Sequence, residues 1–276
     1  MLRNRSKPLP QCRGEGGQSL FVITYRCMPR DWNATSYERM SAPLEVMGRD
    51  VLDRLALRGD ERVLDAGCGT GRVTAALVER LPRGEVVAVD GSPAMVEQAR
   101  ARLGDGIDVH VADLLELELE RPVDAILSTA TFHWIGDHDR LFARLLGALV
   151  PGGRLAAQCG AAGNVEALDV AARAVGAREP FADALAGWPG PWTFASPAQT
   201  EARLRRRGWV DVWTWSHRVL VEPEDPHEYL GTVALGSHLE RLDESLREPF
   251  VEAVLAEVGE PVVDYVRLNI LARRPS

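Results

Sequence analysis

The segment Asp65-Ala66-Gly67-Cys68-Gly69-Thr70-Gly71 constrains this chain more than any other stretch. Glycines at alternate positions let a backbone turn tightly and approach a ligand without Cβ obstruction. Before it, Arg62-Val-Leu-Asp65 reads as a strand; after it, apolar residues at helical spacing run from about Arg72 to Leu81. A strand that turns into a helix through glycines is where open α/β sheets bind ligands. The spacing is not the dinucleotide pattern G-x-G-x-x-G, whose third position falls on Arg72, nor a P-loop, which ends Gly-Lys-Ser/Thr. A nicotinamide-dependent oxidoreductase is therefore disfavoured.

Strand and helix signals then alternate. Glu85–Asp90 is a short apolar run suited to a buried parallel strand. Ser92-Pro93 supplies an N-cap and a first-turn proline for a helix through Arg102. Strands are expected at Ile107–Ala112, Val123–Ser128 and Arg154–Cys159, with a helix at about Asp139–Leu149 and a turn at Pro151-Gly-Gly153. The alternation argues for a doubly wound, mostly parallel α/β sheet, with ligand loops at the carboxyl ends of the strands. Helical spacing from Tyr37 to Ala56 precedes it, with Pro43 starting a second helix.

Beyond Gly160 the alternation lapses. Residues 163–207 read as helices broken by the loop Trp188-Pro-Gly-Pro-Trp192, and helices are expected again from about Asp225 to Glu257. Val210–Val221 and Val262–Ala272 read as strands. This divides the chain into a disordered leader (1–27) and a cofactor-binding core with N-terminal helices (28–160). A helical cap (161–208 and 222–260) and closing strands of the core sheet (209–221 and 261–276) follow. Met28 is a plausible initiator, because organised sequence begins after it.

A net charge of −8 gives no general electrostatic footprint for nucleic acid. Lys7 is the only lysine, and so many arginines reflect genome composition rather than chemistry. Cys12, Cys27, Cys68 and Cys159 form no C-x-x-C pair, so neither a metal site nor a disulfide framework is expected. No apolar run approaches the ~20 residues that span a bilayer, and residues 1–20 lack a signal-peptide core. The default location is cytoplasmic.

Two further acids accompany Asp65. Asp90 ends the second strand, where a carboxylate can accept both hydroxyls of an adenosine ribose. Asp113 ends the third and is placed to accept from an adenine amino group. Each alone has an ordinary reading as a helix cap or turn residue; three at successive strand ends point to a nucleoside-bearing ligand.

Val63-Leu-Asp-Ala-Gly-Cys-Gly-Thr-Gly71, Val87-Ala-Val-Asp90 and Val111-Ala-Asp113 resemble the first three motifs of Rossmann-like S-adenosylmethionine methyltransferases. Leu149-Val-Pro-Gly-Gly-Arg-Leu155 resembles the turn before that family's fifth strand. The resemblance implies a Rossmann-like sheet with the helical cap inserted after its fifth strand, and S-adenosyl-L-methionine as cofactor. It implies that Asp65, Ala66, Gly67, Cys68, Gly69 and Gly71 meet the methionine part and Asp90 the ribose. Met95 would pack on the adenine face, and Asp113 with Leu114 would frame its edge. We place Gly91, Ser92, Ala112 and Ser128 beside them.

Within that superfamily the chain is most similar to trans-aconitate methyltransferases, which esterify a carboxylate. Asp31-Trp-Asn-Ala-Thr-Ser-Tyr37 resembles their opening segment, which implies that Trp32 and Tyr37 cover the cofactor. Phe132-His-Trp-Ile-Gly-Asp-His138 and Tyr265-Val-Arg-Leu-Asn-Ile-Leu-Ala-Arg273 resemble the segment after their fourth strand and their closing strand. The His133-Trp134 pair also resembles carboxyl methyltransferases of plant-hormone and juvenile-hormone type, where residues here orient the acceptor. An indole N–H and an imidazole N–H both suit a carboxylate oxygen. His133 and Trp134 are therefore the catalytic candidates, and Thr131, Phe132, Trp192, His238 and Arg267 the acceptor-binding ones; His138 is expected to be exposed.

The family pattern carries a basic residue in the stretch matching Leu235-Gly-Ser-His238, where this chain has Gly236. A substrate with three carboxylates needs several cationic donors, and Arg267, His217 and His238 are candidates to supply them. The expected partner is a small-molecule acid, with neither nucleic acid nor membrane, and the expected state is a monomer or homodimer. Trp188, Trp192, Trp209, Trp213 and Trp215 either pack the cap and last strands or line a pocket for an apolar acceptor. Alternatives are a methyltransferase acting on a phenol, amine or carrier-bound acyl group, and a non-catalytic cofactor-binding protein of the same fold.

Overall fold

A computed structural model describes residues 42–259 and 262–276. Its strands are β1 (Arg62–Ala66), β2 (Glu85–Asp90), β3 (Asp108–Val111), β4 (Val123–Thr129), β5 (Leu149–Gly160), β6 (Val210–Val221) and β7 (Val263–Arg273). Among the described residues they form one sheet in the order β3-β2-β1-β4-β5-β7-β6. The first five run parallel, and β7 lies antiparallel between β5 and β6. The α-helices are α1 (Ala42–Asp53), α2 (Arg72–Glu79), α3 (Pro93–Leu103), α4 (His138–Ala148), α5 (Glu166–Gly176), α6 (Ala182–Leu185) and α7 (Pro197–Arg206). After β6 come α8 (Pro226–Tyr229), α9 (Gly236–Leu239) and α10 (Glu244–Val258).

The central strands are apolar throughout because both faces are covered. On one face Val63, Val86, Ala125, Leu127 and Ala156 pack with Val51 and Leu52 of α1, Leu55 just after it, and Val73 and Leu77 of α2. The alternate residues Leu64, Val87, Ile126 and Leu155 pack with Leu141, Phe142 and Leu145 of α4 and Leu204 of α7. A period of two across a doubly covered sheet leaves no polar face, so the strands read as continuous apolar runs. Local chemistry sets the helix starts: the Ser92 hydroxyl accepts from the Met95 N–H at 3.3 Å, with Pro93 at the first helical position.

One difference from the expected elements concerns β5. It begins at Leu149, not after Pro151-Gly-Gly153, because Leu149 pairs with Val123 and the register then shifts before Ala125 meets Arg154. The glycines are absorbed as an irregularity in the strand.

Glu61 ties the start of β1 to β5. Its buried carboxylate accepts the N–H groups of Arg58 (2.9 Å) and Gly59 (2.9 Å) and a 2.7 Å ion pair from Arg154. Burial alone would raise its pKa, but these donors together hold it at about 2. A lowered folded pKa gives stability that is full above the ordinary value of 4.5 and lost as pH falls towards 2. Glu61→Ala is expected to cost about 2–4 kcal/mol in denaturant unfolding at pH 7. The difference from the parent should shrink below pH 4, and an unchanged difference at pH 3 would contradict the ion-pair account.

A second apolar cluster joins the helices on either side of β6. Leu168, Ala172 and Val175 of α5 meet Tyr229, Leu230, Phe250 and Val254, together with Val263 and Tyr265 of β7. The antiparallel register sets its place. Arg267 pairs with Gly160, the last residue of β5, so Tyr265 and Val263 project past the carboxyl edge of the parallel strands. The helical cluster therefore stands over the edge where β1 enters the glycine loop. Among the described residues no helix is long and apolar enough to cross a membrane.

Candidate functional site

The loop after β1 is pinned by backbone bonds. The N–H groups of Gly67 and Cys68 both donate to Val89 O, at 2.8 and 2.9 Å, and Gly71 is the left-handed residue that caps α2. Gly67 has φ +90°, and a Cβ there would stand 2.6 Å from Thr131 Cβ. Gly69 has φ +53°, and among the described residues a Cβ there would meet nothing within 4 Å. Gly67 is required by packing, while Gly69 leaves the backbone accessible on its side among the described residues.

The acids fall beside this loop. Asp90 accepts the Gly69 N–H on Oδ2 and the Ser92 N–H on Oδ1, both at 2.9 Å, and Gly91 N–H also reaches it. Each oxygen keeps a further lone pair. Burial raises the Asp90 pKa despite these bonds. Asp65 is buried in β1; Thr74 donates to its Oδ2 at 2.7 Å, while Oδ1 has no partner among the described residues. Burial, and secondarily the charge of Asp90, push its pKa up to about 7. An orphaned buried carboxylate oxygen facing a ligand loop fits a cationic ligand, and the ammonium and sulfonium of S-adenosylmethionine meet that description.

The other expected cofactor residues have definite places. Ser128 Oγ donates to Ala66 O at 2.6 Å, tying β4 to β1 below the loop. Met95 is buried in the first turn of α3. Asp113 caps the short helix Leu114–Glu116 through the Leu115 N–H, and Ala112 and Leu114 are buried in the core. Trp32 and Tyr37 lie outside the described residues.

A pocket opens between the carboxyl edge of the sheet and the helical cluster. His133, Trp134, Trp192, Arg267, Tyr265 and Asn164 line it. Ala130, Val165, Val233 and Ala234 complete it, and it is a narrow cleft with a cavity volume of about 40 Å³, partly open to solvent. Ala130 (φ 56°) and Val165 (φ 47°) are left-handed. That conformation is sparse for alanine and an outlier for a β-branched residue, costing roughly 1–3 kcal/mol each. Of the four non-glycine residues with positive φ among those described, two, Ala130 and Val165, line this pocket; Ala56 and Asp211 lie outside it.

His133 is buried, its ring beside Trp134 (5.1 Å between centroids) and stacked on Phe194 (5.9 Å). Its Nδ1 accepts the Gly160 N–H at 3.2 Å. A backbone amide can only donate, so the neutral ring carries its hydrogen on Nε2. Burial first, then Arg267 and His138, hold its pKa well below the ordinary histidine range, so the ring is neutral at pH 7. Arg267 is buried, with its guanidinium 5.7 Å from the Tyr265 ring centroid. Behind it runs a polar chain: Arg267 Nε donates to Gln158 Oε1 (3.2 Å), and Gln158 Nε2 donates to Asn269 Oδ1 (2.9 Å). Asn269 Nδ2 donates to His217 Nδ1 (3.0 Å) and Arg267 O (3.2 Å).

Several expected acceptor residues are placed elsewhere. Phe132 is 1% exposed and packs edge to face with Phe142 in the core, so it does not line the pocket. Thr131 sits on the glycine loop, its hydroxyl donating to Thr129 O (2.9 Å) and reaching Gly67 O (3.3 Å). His238 is enclosed by Trp188, Trp192 and Phe250, one layer behind the pocket wall. His138 is buried rather than exposed, because its Nε2 reaches Phe132 O at 2.9 Å. Of the later tryptophans, Trp192 lines the pocket, Trp209 is core, and Trp213 is exposed on β6.

Residues 63–153 match the family model of a methyltransferase domain. The chain is 34% identical over 258 residues to the trans-aconitate 2-methyltransferase of Methylobacterium nodulans, spanning 88% of this chain and 98% of that one. It is 30% identical over 259 residues to its counterpart in Escherichia coli O1:K1, spanning 88% and 98%. Among solved structures, phosphoethanolamine N-methyltransferase 2 of Haemonchus contortus, in complex with S-adenosyl-L-methionine, superposes with TM-score 0.57 at 19% identity. That likeness covers 88% of this chain and 57% of the other. YcgJ of Bacillus subtilis gives 0.57 at 16% identity, over 83% and 98%; at such identities the likeness is one of fold. Strand order, glycine loop and these matches together define an S-adenosylmethionine-dependent methyltransferase. More narrowly, the chain belongs to the trans-aconitate 2-methyltransferase family.

Proposed function

We propose that the chain methylates a carboxylate oxygen of a small-molecule acid, forming a methyl ester. One observation carries the reading: a buried Arg267 and a neutral His133, with Nδ1 occupied by the Gly160 N–H, line the same pocket. His133 then offers Nε2–H as a donor, and Arg267 offers a charge-assisted donor to the same carboxylate. Trp134 adds an indole N–H. Asp65 and the Gly67–Gly71 backbone would hold the methionine part of the cofactor, Asp90 the ribose, and Met95 with Asp113 the adenine. When bound, S-adenosylmethionine supplies an electrophilic methyl group on a sulfonium.

A carboxylate of pKa ~4 is ionised at neutral pH, so the pocket needs orientation and no base. A phenol or amine acceptor would need a base, and the Nε2 of His133 already bears hydrogen. The relatives' named substrate, trans-aconitate, is a carboxylic acid, which supports the same reading. At saturating cofactor and acid, kcat should be flat between about pH 6.5 and 8.5. His133→Ala should lower kcat/KM for the acid about 10- to 100-fold and leave S-adenosylhomocysteine binding intact by calorimetry. A lost cofactor affinity, or a kcat that climbs through a histidine pKa, would overturn the assignment.

Asp65 gives a separate pH signature. Its folded pKa of about 7 lies above the ordinary 3.8, so the free protein loses stability as pH climbs through that window. A cationic ligand favours the carboxylate. Cofactor affinity should therefore rise with pH, up to about tenfold per unit, and level off above pH 7. Asp65→Asn should bind weakly and without this slope; a parent affinity flat from pH 5.5 to 8 would contradict it.

A further inference from the structure

Gln158 and Asn269 are amides set inside the sheet, 3% and 0% exposed, opposite each other on β5 and β7. A buried amide destabilises a fold unless its donors and acceptors are met. Here their orientation is fixed from both ends. Arg267 Nε and Arg54 Nη1 can only donate, so the atoms facing them are the oxygens of Gln158 and Asn269. The Gln158 nitrogen then donates to Asn269 Oδ1, and the Asn269 nitrogen to Arg267 O and His217 Nδ1. Each bond from Arg54 to Arg267 has a donor on one side and an acceptor on the other.

This chain ends on the atom that sets the aim of Arg267. A guanidinium is planar, so holding its Nε–H directs the whole fork. Gln158 Oε1 takes that hydrogen at 3.2 Å, and the Tyr265 ring centroid lies 5.7 Å from the guanidinium carbon. Tyr265 is itself held, its hydroxyl 2.6 Å from that of Tyr229 in the helical cluster. The same stretch of β5 serves His133, whose Nδ1 accepts the Gly160 N–H. Arg267 lines the acceptor pocket and Gln158 stands behind it, so an effect of Gln158 on the acceptor passes through the guanidinium.

We infer that Gln158, braced by Asn269, is a positioning residue that aims the Arg267 guanidinium at the acceptor carboxylate. This rests on the reading of the pocket as a carboxylate-methylating site. The test uses the full chain, methyl-labelled S-adenosylmethionine and trans-aconitate, in a double-mutant cycle of Gln158→Leu with Arg267→Met. Gln158→Leu alone should lower kcat/KM about 10- to 50-fold, the effect of a misplaced binding group, with S-adenosylhomocysteine affinity within about twofold. In the Arg267→Met background the same change should cost less than about threefold, because its target is gone. Gln158→Glu keeps an acceptor for the Nε–H but pairs the guanidinium charge internally, so its KM for the acid should rise about tenfold with kcat near parental. A readout without acceptor is the ¹⁵N–¹H signal of Arg267 Nε, identified by its loss in Arg267→Met. It should be protected from solvent exchange in the parent and in Gln158→Glu, and exchange faster in Gln158→Leu. An equal loss of kcat/KM in both backgrounds, parental kinetics in either Gln158 variant, or an unchanged Nε signal in Gln158→Leu would overturn this inference and leave carboxylate methylation standing. Parental kinetics in Arg267→Met, or no ester from the parent chain, would overturn both.

Discussion

Arg267→Met is expected to lower kcat/KM for an acid acceptor by about 10²- to 10³-fold, the effect of removing the charged partner of a desolvated carboxylate. Cofactor affinity should stay within about twofold, because Arg267 stands on β7 at the acceptor wall and the glycine loop is built by β1 and β2. The substitution also leaves Gln158 Oε1 without its 3.2 Å donor, so some loss of stability, about 1–2 kcal/mol, accompanies it. Arg267→Lys keeps the charge but not the planar fork, and should recover only part of the rate. Steady-state kinetics, calorimetry with S-adenosylhomocysteine and thermal unfolding separate these effects. A variant that melts like the parent and methylates the acid at parental rates would remove Arg267 from the site.

Gly67→Ala is expected to act on the other half of the reaction. Two costs combine there: φ +90°, which a residue with a Cβ adopts only under strain, and a Cβ position 2.6 Å from Thr131 Cβ. Together they should destabilise the fold by about 2–4 kcal/mol and weaken cofactor binding by at least about 100-fold. The loop must move, and with it the bond from Gly69 N–H to Asp90. Adding Thr131→Gly removes the collision but not the backbone strain, so the double variant should regain part of the binding. Unaltered cofactor affinity in the single variant would show that the loop tolerates displacement.

The contrast between these sites explains what was legible before the structure. A glycine loop can be read because its φ values exclude most residues, and an acid at a strand end can be read because the strand's apolar run stops there. Asp65, Asp90 and Asp113 all stood out in this way. The acceptor pocket is assembled from Ala130, Asn164, Val165, Val233, Ala234 and Tyr265, distant in sequence and of common types. Left-handed backbone at Ala130 and Val165 carries no glycine to announce it. Arg267 was a candidate through the likeness of the closing segment Tyr265–Arg273 and as a cation for an acidic acceptor, and Tyr265 shares its face at a spacing of two.

Phe132 and His238 show the opposite error. Position beside His133 said nothing of direction, and the turn after β4 sends Phe132 into the core while His133 faces the pocket. His238 has a chemically suitable ring, but Trp192 stands between it and the cavity. Residue type named the possible donors; the packing of the cap decided which of them reaches the acceptor. Of the network Gln158–Asn269–His217 behind Arg267, His217 was named only as a candidate cation, and Gln158 and Asn269 were not, since they pair across strands that meet only in the folded sheet.

In the proposed reaction the pocket forms an ester on a carboxylate without a base. The measurement that tests it most directly is mass spectrometry of the product made from methyl-labelled cofactor and an acid acceptor, before and after alkali. One added methyl group per acceptor is expected, on a carboxyl oxygen, released completely as methanol by hydrolysis. A methyl group that survives alkali, on carbon, nitrogen or a phenolic oxygen, would contradict it.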